Sequence, residues 1–529
     1  MRKDDKIWDQ IEEQEDKWVA TAETTSVHRT VFEFLRQHKS GTTESIHKAI
    51  KGGYNMVYRL QYVDGSSIVM KVPMPCKFLS GPFPNSMNAD NTPIELKKVY
   101  CPFAEEKMRY EAETMRYIAA HTTIPVPHVY RCGIAAENPT GLGPFIIMDW
   151  IDSHQNMSRS IKDQTCPLQD APVLDPAVDK AKLEKVYRQM ANILLQLHHL
   201  EFPRIGSLSG NAGNLAPLQG DDTMDSTVKR VNKMHLAAKR DKITVSGRPL
   251  IQSMSDLIVH NNCPNTPTGT ILPPPSRTYT SARAWFAALA DMHLATLVLQ
   301  RNDCVKDADD ARDMYISRQL LRNLARDNKL VTAPDDDFGL FSEDFRPANV
   351  LVDENDNIVG VIDWEFAYVA PAQFSYDPPW WLLIMEPQDW EGVKDGGCRY
   401  KEWMRVYEPK LEIFLRVLRE EEFNVRGGAA NGRPLSQRMK ESWDSGAWIL
   451  NYAIRDFWAF DYLWWMFLDE RFFGPNEDKD HKARLDLLTD TQREVMEEFV
   501  ERKMREEEEG GIGHWSEEEA TAVLKKFMV

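Results

Sequence analysis

Three polar residues, Asp344, Asn349 and Asp363, sit in a stretch whose turn chemistry could gather them. Two apolar runs, 350–352 and 358–362, flank the Asp/Asn-rich segment 353–357. Each run is too short for a helix, and Asp/Asn clusters favour turns, so the two are predicted to pair as a hairpin. Residues 349 and 363 are equidistant from 356, inside the turn, and folding therefore brings Asn349 and Asp363 to the same end. An amide oxygen and a carboxylate held there make a hard oxygen site, suited to Mg2+. Asp344 precedes Asn349 in the loop entering that end and can face whatever the metal holds. Because Mg2+ usually shares its shell with substrate phosphates, a phosphate-binding element is expected elsewhere in the chain.

The N-terminal part offers one. Residues 51–58 read Lys-Gly-Gly-Tyr-Asn-Met-Val-Tyr, a glycine-containing turn between two strands. At Gly52, Gly53 and Asn55 the backbone N–H groups could approach phosphate oxygens closely. Lys71, on the following strand, could bring an ammonium to the same charge. Glu111, on the next helix beside Met115 and Ile118, leans toward the interior and could hold Lys71 in place. Singly, each feature has a plainer explanation: an ordinary turn, an edge-strand lysine, a surface glutamate, a capped loop. Their joint order is what narrows the choice.

In that order, these residues resemble the protein-kinase-like fold, and within it the aminoglycoside phosphotransferase and choline kinase branch, of the fungal phosphotransferase type. The turn reads GGYNMVY rather than GxGxxG, and Ile362-Asp363-Trp364-Glu365 stands where a protein kinase has DFG. Ile124-Pro125-Val126-Pro127 also looks like that branch, and no APE-like segment follows. The matched text spans 46–151 and 338–370. The resemblance implies an α+β, two-lobed protein-kinase-like fold: a small antiparallel-sheet N-lobe and a large, mainly helical C-lobe with insertions. It implies ATP and Mg2+ as cofactors and a small-molecule hydroxyl as phosphate acceptor. Asp344 would be the catalytic base, and Asn349 and Asp363 would hold the metal. Lys71, paired with Glu111, would contact the α- and β-phosphates, Gly52, Gly53 and Asn55 would cover them, and backbone groups from Asp149 to Ile151 would hold adenine. The sequence departs from the family at Ser342, where a His usually stands two residues before the base. That departure motivates an alternative, a catalytically impaired pseudokinase acting as a nucleotide-binding or interaction module. Glu343 adds a second carboxylate beside the base with no assigned role.

These residues need elements to position them. Strands are predicted over 56–63 and 67–72, joined by Asp64-Gly65 as a two-residue hairpin. Prolines 73, 75, 82 and 84 mark a loop to about residue 100. A helix follows over 103–121, with Met108, Ala112, Met115 and Ala119 as its apolar stripe and Pro125 and Pro127 beyond its end. A short buried strand is expected at 145–148, a helix at 183–200 and helical text over 281–326. Three regions result: a polar, peripheral helical extension (1–44), an N-lobe (45–150) and a helical C-lobe (151–529) carrying the catalytic loop and metal hairpin at 338–370. Segments 206–224 and 261–280 read as surface insertions, and 427–434 as a break.

Composition sets the outer bounds. The chain has 529 residues, 42 % hydrophobic and 27 % charged, an ordinary globular balance with room for two lobes. Its 64 basic and 81 acidic residues leave a formal charge of −17, which gives no bulk footprint for nucleic acid or an anionic membrane. Seven scattered cysteines without a CxxC pair argue against a zinc ribbon and suit reduced thiols in a cytoplasmic protein. The polar, acidic start predicts no signal peptide, and 448–467 carries too many charges to span a membrane. Neither GxxxxGK[ST] nor GxSxG occurs, so Walker-type NTPases and nucleophile-elbow hydrolases are unsupported. Trp443, Trp448, Trp458, Trp464 and Trp465 are expected in the large-lobe core rather than as a cage for a quaternary ammonium. His198-His199 is expected on a helix surface, and the acidic run 506–509 on a solvated face.

Overall fold

The computed structural model describes residues 5–74, 102–165, 172–210, 243–260, 272–390, 398–426, 433–510 and 515–529. Most of the proline loop read to about residue 100, segments 211–224 and 261–271, and most of the break at 427–434 lie outside these residues.

Strands β1 (Thr43–Ile46), β2 (Ile50–Lys51), β3 (Asn55–Tyr62), β4 (Ser67–Pro73), β5 (Val129–Gly133) and β6 (Phe145–Asp149) build one antiparallel sheet, ordered β1-β3-β4-β6-β5 with β2 on β3. Every residue of β4 is buried, because the strand lies between β3 and β6 and both sheet faces are covered. The two-residue period of a strand sends Ile68, Met70 and Val72 to one face and Val69 and Lys71 to the other. The first face packs beneath α1 (Asp5–Ala22) and α2 (Thr25–Leu35) through the buried Trp18, Ala22, Val31 and Leu35. The N-terminal extension is therefore not peripheral, and β1 starts inside it. The β3–β4 connection also differs from expectation. Gly65 N–H donates to the Tyr62 carbonyl at 2.9 Å and Tyr62 N–H to the Ser66 carbonyl at 2.8 Å, closing a three-residue loop. Only Gly65 (φ +84°) has positive φ there, whereas the most favoured two-residue turn needs two such residues.

The other face meets α3 (Pro102–His121). Met108, Ala112 and Met115 are buried as expected, but Ile118 continues the stripe and Ala119 is exposed. The buried line thus runs 108, 111, 115, 118, at helical steps of three and four, and carries Glu111 on it.

In the large lobe, β11 (Val350–Val352) and β12 (Ile358–Val361) form the expected hairpin, with Val350 opposite Val361 and Leu351 opposite Gly360. A third strand, β7 (Gln155–Asn156), extends it. Two further pairs are β10 (Phe338–Ser342) with β13 (Ala367–Pro371), which flank the hairpin in the chain, and β8 (Ser207–Ser209) with β9 (Thr244–Gly247). Ser207 and Leu208 are fully buried, and Gly206 exchanges two backbone bonds with Val369 at 3.0 and 2.8 Å. The segment read as a surface insertion from 206 therefore begins as core; Leu272 and Tyr279, at the end of the second such segment, are buried too.

The helical body includes α4 (Lys180–His198), α5 (Gln252–His260), α6 (Ala282–Leu299) and α7 (Ala308–Arg326). The single stretch read over 281–326 is two helices, capped at their starts by Ser281 and Asp307. By length and composition α6 could cross a membrane; in the fold it is mostly buried as a core helix. Trp448, Trp464 and Trp465 are core residues as expected. The acidic run departs from expectation at Glu506, which is largely covered and pairs with Arg502 at 2.7 Å and Lys503 at 2.9 Å.

Candidate functional site

Lys71 reaches the gap between sheet and large lobe from the α3-facing side of β4, where it is 1 % exposed. Its Nζ donates to Glu111 Oε1 at 2.7 Å and to Asp363 Oδ1 at 2.8 Å, with Glu365 Oε2 at 3.5 Å. Residues 292 positions apart in the chain thus meet on one ammonium. Burial works against the charge on Lys71, but the carboxylates of Asp363, Glu111 and Glu365 outweigh it and hold the amine well above the usual lysine range. Burial likewise drives the Glu111 carboxyl up to about 7, against the pull of Lys71.

Asp363 follows β12 with φ +57°, a left-handed conformation that few non-glycine residues adopt and that Asp tolerates better than most. The bend separates three consecutive side chains. Asp363 faces Lys71, Trp364 enters the core with Nε1 bonded to the Val361 carbonyl at 3.1 Å, and Glu365 turns back beneath the small lobe. At the other end of the hairpin mouth, Ile362 N–H donates to the Asn349 carbonyl at 2.9 Å, which keeps the two metal-site candidates adjacent.

Asn349 Nδ2 donates to the Asp344 carboxylate at 2.8 Å and to the Asp344 carbonyl at 2.9 Å. With the amide nitrogen committed, its Oδ1 is left to accept from outside; Asp363 likewise keeps Oδ2 after giving Oδ1 to Lys71. Two hard oxygens at one hairpin end fit a Mg2+ that completes its shell with phosphate and water. Among the described residues no group of three or more His, Cys, Asp and Glu could hold a metal ion. Asp344 also pairs with Arg346 Nε at 2.7 Å and stays partly open to the cleft. Burial raises its carboxyl above the ordinary range, with Arg346 pulling the other way. Glu343 acts as a brace, since its Oε2 accepts from the Gln252 N–H at 2.9 Å and so anchors the start of α5 to the catalytic loop.

Gly52 and Gly53 form the β2–β3 turn, closed by Gly52 N–H to the Asn55 carbonyl at 2.8 Å. Nothing lies within 4 Å of where a Gly53 Cβ would be, so that backbone is open to a ligand. The Asn55 side chain points inward. It is 7 % exposed and donates to Glu365 Oε2 at 3.0 Å, so it anchors the turn from beneath. At the sheet's end, Asp149 and Ile151 border an open cleft of about 670 Å3 with Val126, Trp150 and Val359. The Asp149 side chain accepts from Tyr130 OH at 2.7 Å, and the N–H groups of Asp149 and Trp150 donate to the His128 and Ser67 carbonyls at 3.0 and 3.1 Å. Ile151 lies so close over Gly360 that a Cβ on that glycine would come within 2.4 Å of it.

Two site residues had no role in the sequence reading. Lys107 and Glu365, 1 % and 4 % exposed, pair at 2.6 Å directly behind Lys71. Burial alone would raise Glu365, yet Lys107 and Lys71 outweigh it and bring the carboxyl down to about 2. Burial pulls Lys107 below the usual lysine range, opposed by Glu365. The signal was present: Lys107 stands one helical turn before Glu111 and next to the buried Met108, an awkward place for a lysine without a partner.

A sequence model described as the phosphotransferase enzyme family matches residues 47–400, well over half of the chain. Among curated proteins, 50 residues are 42 % identical to the clavilactone A biosynthesis cluster protein Y of Ampulloclitocybe clavipes, covering 10 % of this chain and 12 % of that one. The chain therefore aligns with about an eighth of that relative's length. Among solved structures, a macrolide 2′-phosphotransferase type I matches 88 % of this chain and 98 % of its own, at 12 % identity and a TM-score of 0.37. An amicoumacin kinase in complex with AMP-PNP, Ca2+ and Ami matches 90 % of this chain and 93 % of its own, at 11 % identity and a TM-score of 0.36.

Proposed function

Because the chain belongs to the phosphotransferase enzyme family, we propose that it moves the γ-phosphoryl group of Mg·ATP to a hydroxyl of a small molecule. The observation that carries this reading is the convergence on Lys71: Glu111 at 2.7 Å and Asp363 at 2.8 Å, from three separate elements. Lys71 would meet the α- and β-phosphates with its orientation fixed by Glu111. The open backbone at Gly53, in the turn that Gly52 closes, would lie along the phosphates, and the chain from Asp149 to Ile151 would receive the adenine edge. Asn349 and Asp363 would hold Mg2+, which when bound neutralises phosphate charge and aligns the transferring group. Asp344, held by Asn349, would accept the acceptor's hydroxyl proton as the oxygen–phosphorus bond forms. The bond between the γ-phosphorus and the β–γ bridging oxygen breaks, and ADP leaves with that electron pair. The rest is positioning and electrostatics, since this reaction asks little covalent chemistry of the protein.

The pseudokinase alternative rests on Ser342. The side chains that would do the chemistry are all present, which favours the enzyme. A metabolite mixture incubated with the protein, ATP and Mg2+ tests the choice by mass spectrometry. A phosphate-sized mass gain on one component, absent with Asp344→Asn, is the expected result. Nucleotide binding without transfer to any component would return the alternative.

A further inference from the structure

Glu365 is where three elements meet behind the phosphate site. Its Oε2 takes Lys107 Nζ of α3 at 2.6 Å, Asn55 Nδ2 of the β2–β3 turn at 3.0 Å and, more distantly, Lys71 Nζ of β4 at 3.5 Å. All four residues are at most 7 % exposed. The Lys107 ammonium also lies 5.3 Å from the Tyr54 ring of the turn and 5.5 Å from the Phe366 ring beyond the metal hairpin. Those two rings meet edge-on with centroids 6.4 Å apart.

We propose that Lys107 and Glu365 form a latch that seats the Gly52–Gly53 turn over the metal-hairpin end and keeps Lys71 assigned to Asp363. This rests on the reading of the site as a Mg·nucleotide site. Charge allocation is the physical basis. A buried carboxylate without a cation is costly enough that it recruits whatever cation is in reach. With Lys107 present, Glu365 has a partner, and Lys71 keeps its shorter contacts to Glu111 and Asp363. Without Lys107, the nearest cation is Lys71, which needs to move less than about 1 Å to leave hydrogen-bond distance of Asp363 and close on Glu365. The Asn55 bond would then slacken with the shifting carboxylate, and the turn would lose its anchor. Lys107 and Glu365 are positioning residues, acting through Lys71 and Asn55.

The test uses the full chain and AMP-PNP with Mg2+ as the probe. Lys107→Met and Glu365→Gln are each expected to weaken AMP-PNP binding by at least about tenfold. The double variant, which buries no unbalanced charge and keeps an acceptor for Asn55, is expected to return to within about threefold of wild type. Hydrogen exchange at residues 52–56 in the nucleotide-free protein should rise in both single variants and fall again in the double. A merely structural pair would lower the melting temperature in all three variants without that pattern of rescue. Single variants that bind like wild type, or a double as weak as the sum of the singles, overturn the latch alone. A wild-type chain that binds no Mg·AMP-PNP overturns the nucleotide reading and the latch with it. Should a single variant fail to fold, Asn55→Ala keeps the idea exposed: unchanged binding and exchange at the turn would count against it.

Discussion

Replacing Asp344 by Asn should separate chemistry from binding. The substitution keeps the side chain's shape and leaves an amide oxygen that can still accept from Asn349 Nδ2, now 2.8 Å from the carboxylate. It removes the proton acceptor and the charge facing Arg346, a half-exposed pair worth only modest stability. Lys71 is held by Glu111 and Asp363 and not by Asp344, so the groups expected to hold Mg·ATP remain as they were. A positioned general base contributes about 10²–10⁴ in rate, or about 3–5 kcal/mol of barrier at roughly 1.4 kcal/mol per decade. The expected result is a drop of that size in phosphate release from ATP, or in transfer once an acceptor is known, with the dissociation constant for Mg·AMP-PNP changed less than about threefold. Calorimetry gives the second number and a coupled ADP assay the first. Turnover within about threefold of wild type would refute the assignment of the base. Equal losses in binding and turnover would refute the separation of Asp344 from the nucleotide-holding groups.

Lys71→Met should abolish measurable nucleotide binding and lower stability by about 3–5 kcal/mol, because it leaves Glu111 unpaired in the interior; thermal melts with and without AMP-PNP check both. Asp363→Asn should raise the Mg2+ concentration for half-maximal nucleotide binding by about an order of magnitude, a charge-assisted contact being worth about 1.5–3 kcal/mol; a Mg2+ titration at fixed AMP-PNP that shows no shift would count against the metal role. His293 predicts an acid-sensitive core. Burial first, and Arg318 second, push the imidazole down to about 3 from 6.5, while Nε2 bonds to the Ile454 carbonyl at 3.0 Å. A group depressed in the folded state contributes stability above pH 6.5 that is lost as pH falls toward 3, amounting to roughly 3 kcal/mol by pH 4. Urea midpoints of wild type and His293→Gln should therefore converge between pH 7 and pH 4, and parallel curves would exclude His293 as the source.

The hairpin at 350–361 was legible because its signal is local: two short apolar runs around an Asp/Asn turn admit one pairing, and Asn349 and Asp363 follow from symmetry about residue 356. Lys71 and Glu111 were legible only through their order in the chain, since no local pattern distinguishes a buried lysine on a central strand from one on an edge. The bond from the Asn55 side chain to Glu365 was not legible, because backbone position does not fix which way a side chain points. Lys107 and Glu365 escaped because each makes sense only with the other, in a distant stretch of the chain, and a single sequence offers no means of pairing them. The buried start of the 206–224 segment escaped for a related cause. Gly206, Ser207 and Ser209 look like loop in sequence, and only pairing with β9 and Val369 puts Ser207 and Leu208 in the core.

Arg248, fully buried, clamps Glu106 of α3 through Nε and Nη2, each at 2.9 Å, and donates from Nη1 to the Pro273 carbonyl at 2.8 Å. Gly247, just before it, passes so close to Tyr110 that a Cβ there would sit 2.3 Å from the phenol oxygen. These contacts rivet α3 to the β8–β9 unit of the large lobe, although the helix follows β4 in the chain. α3 is therefore held to the sheet by its apolar face and the Lys71–Glu111 bond, and to the large lobe by Arg248 and Glu106, so that it ties the two lobes together behind the site.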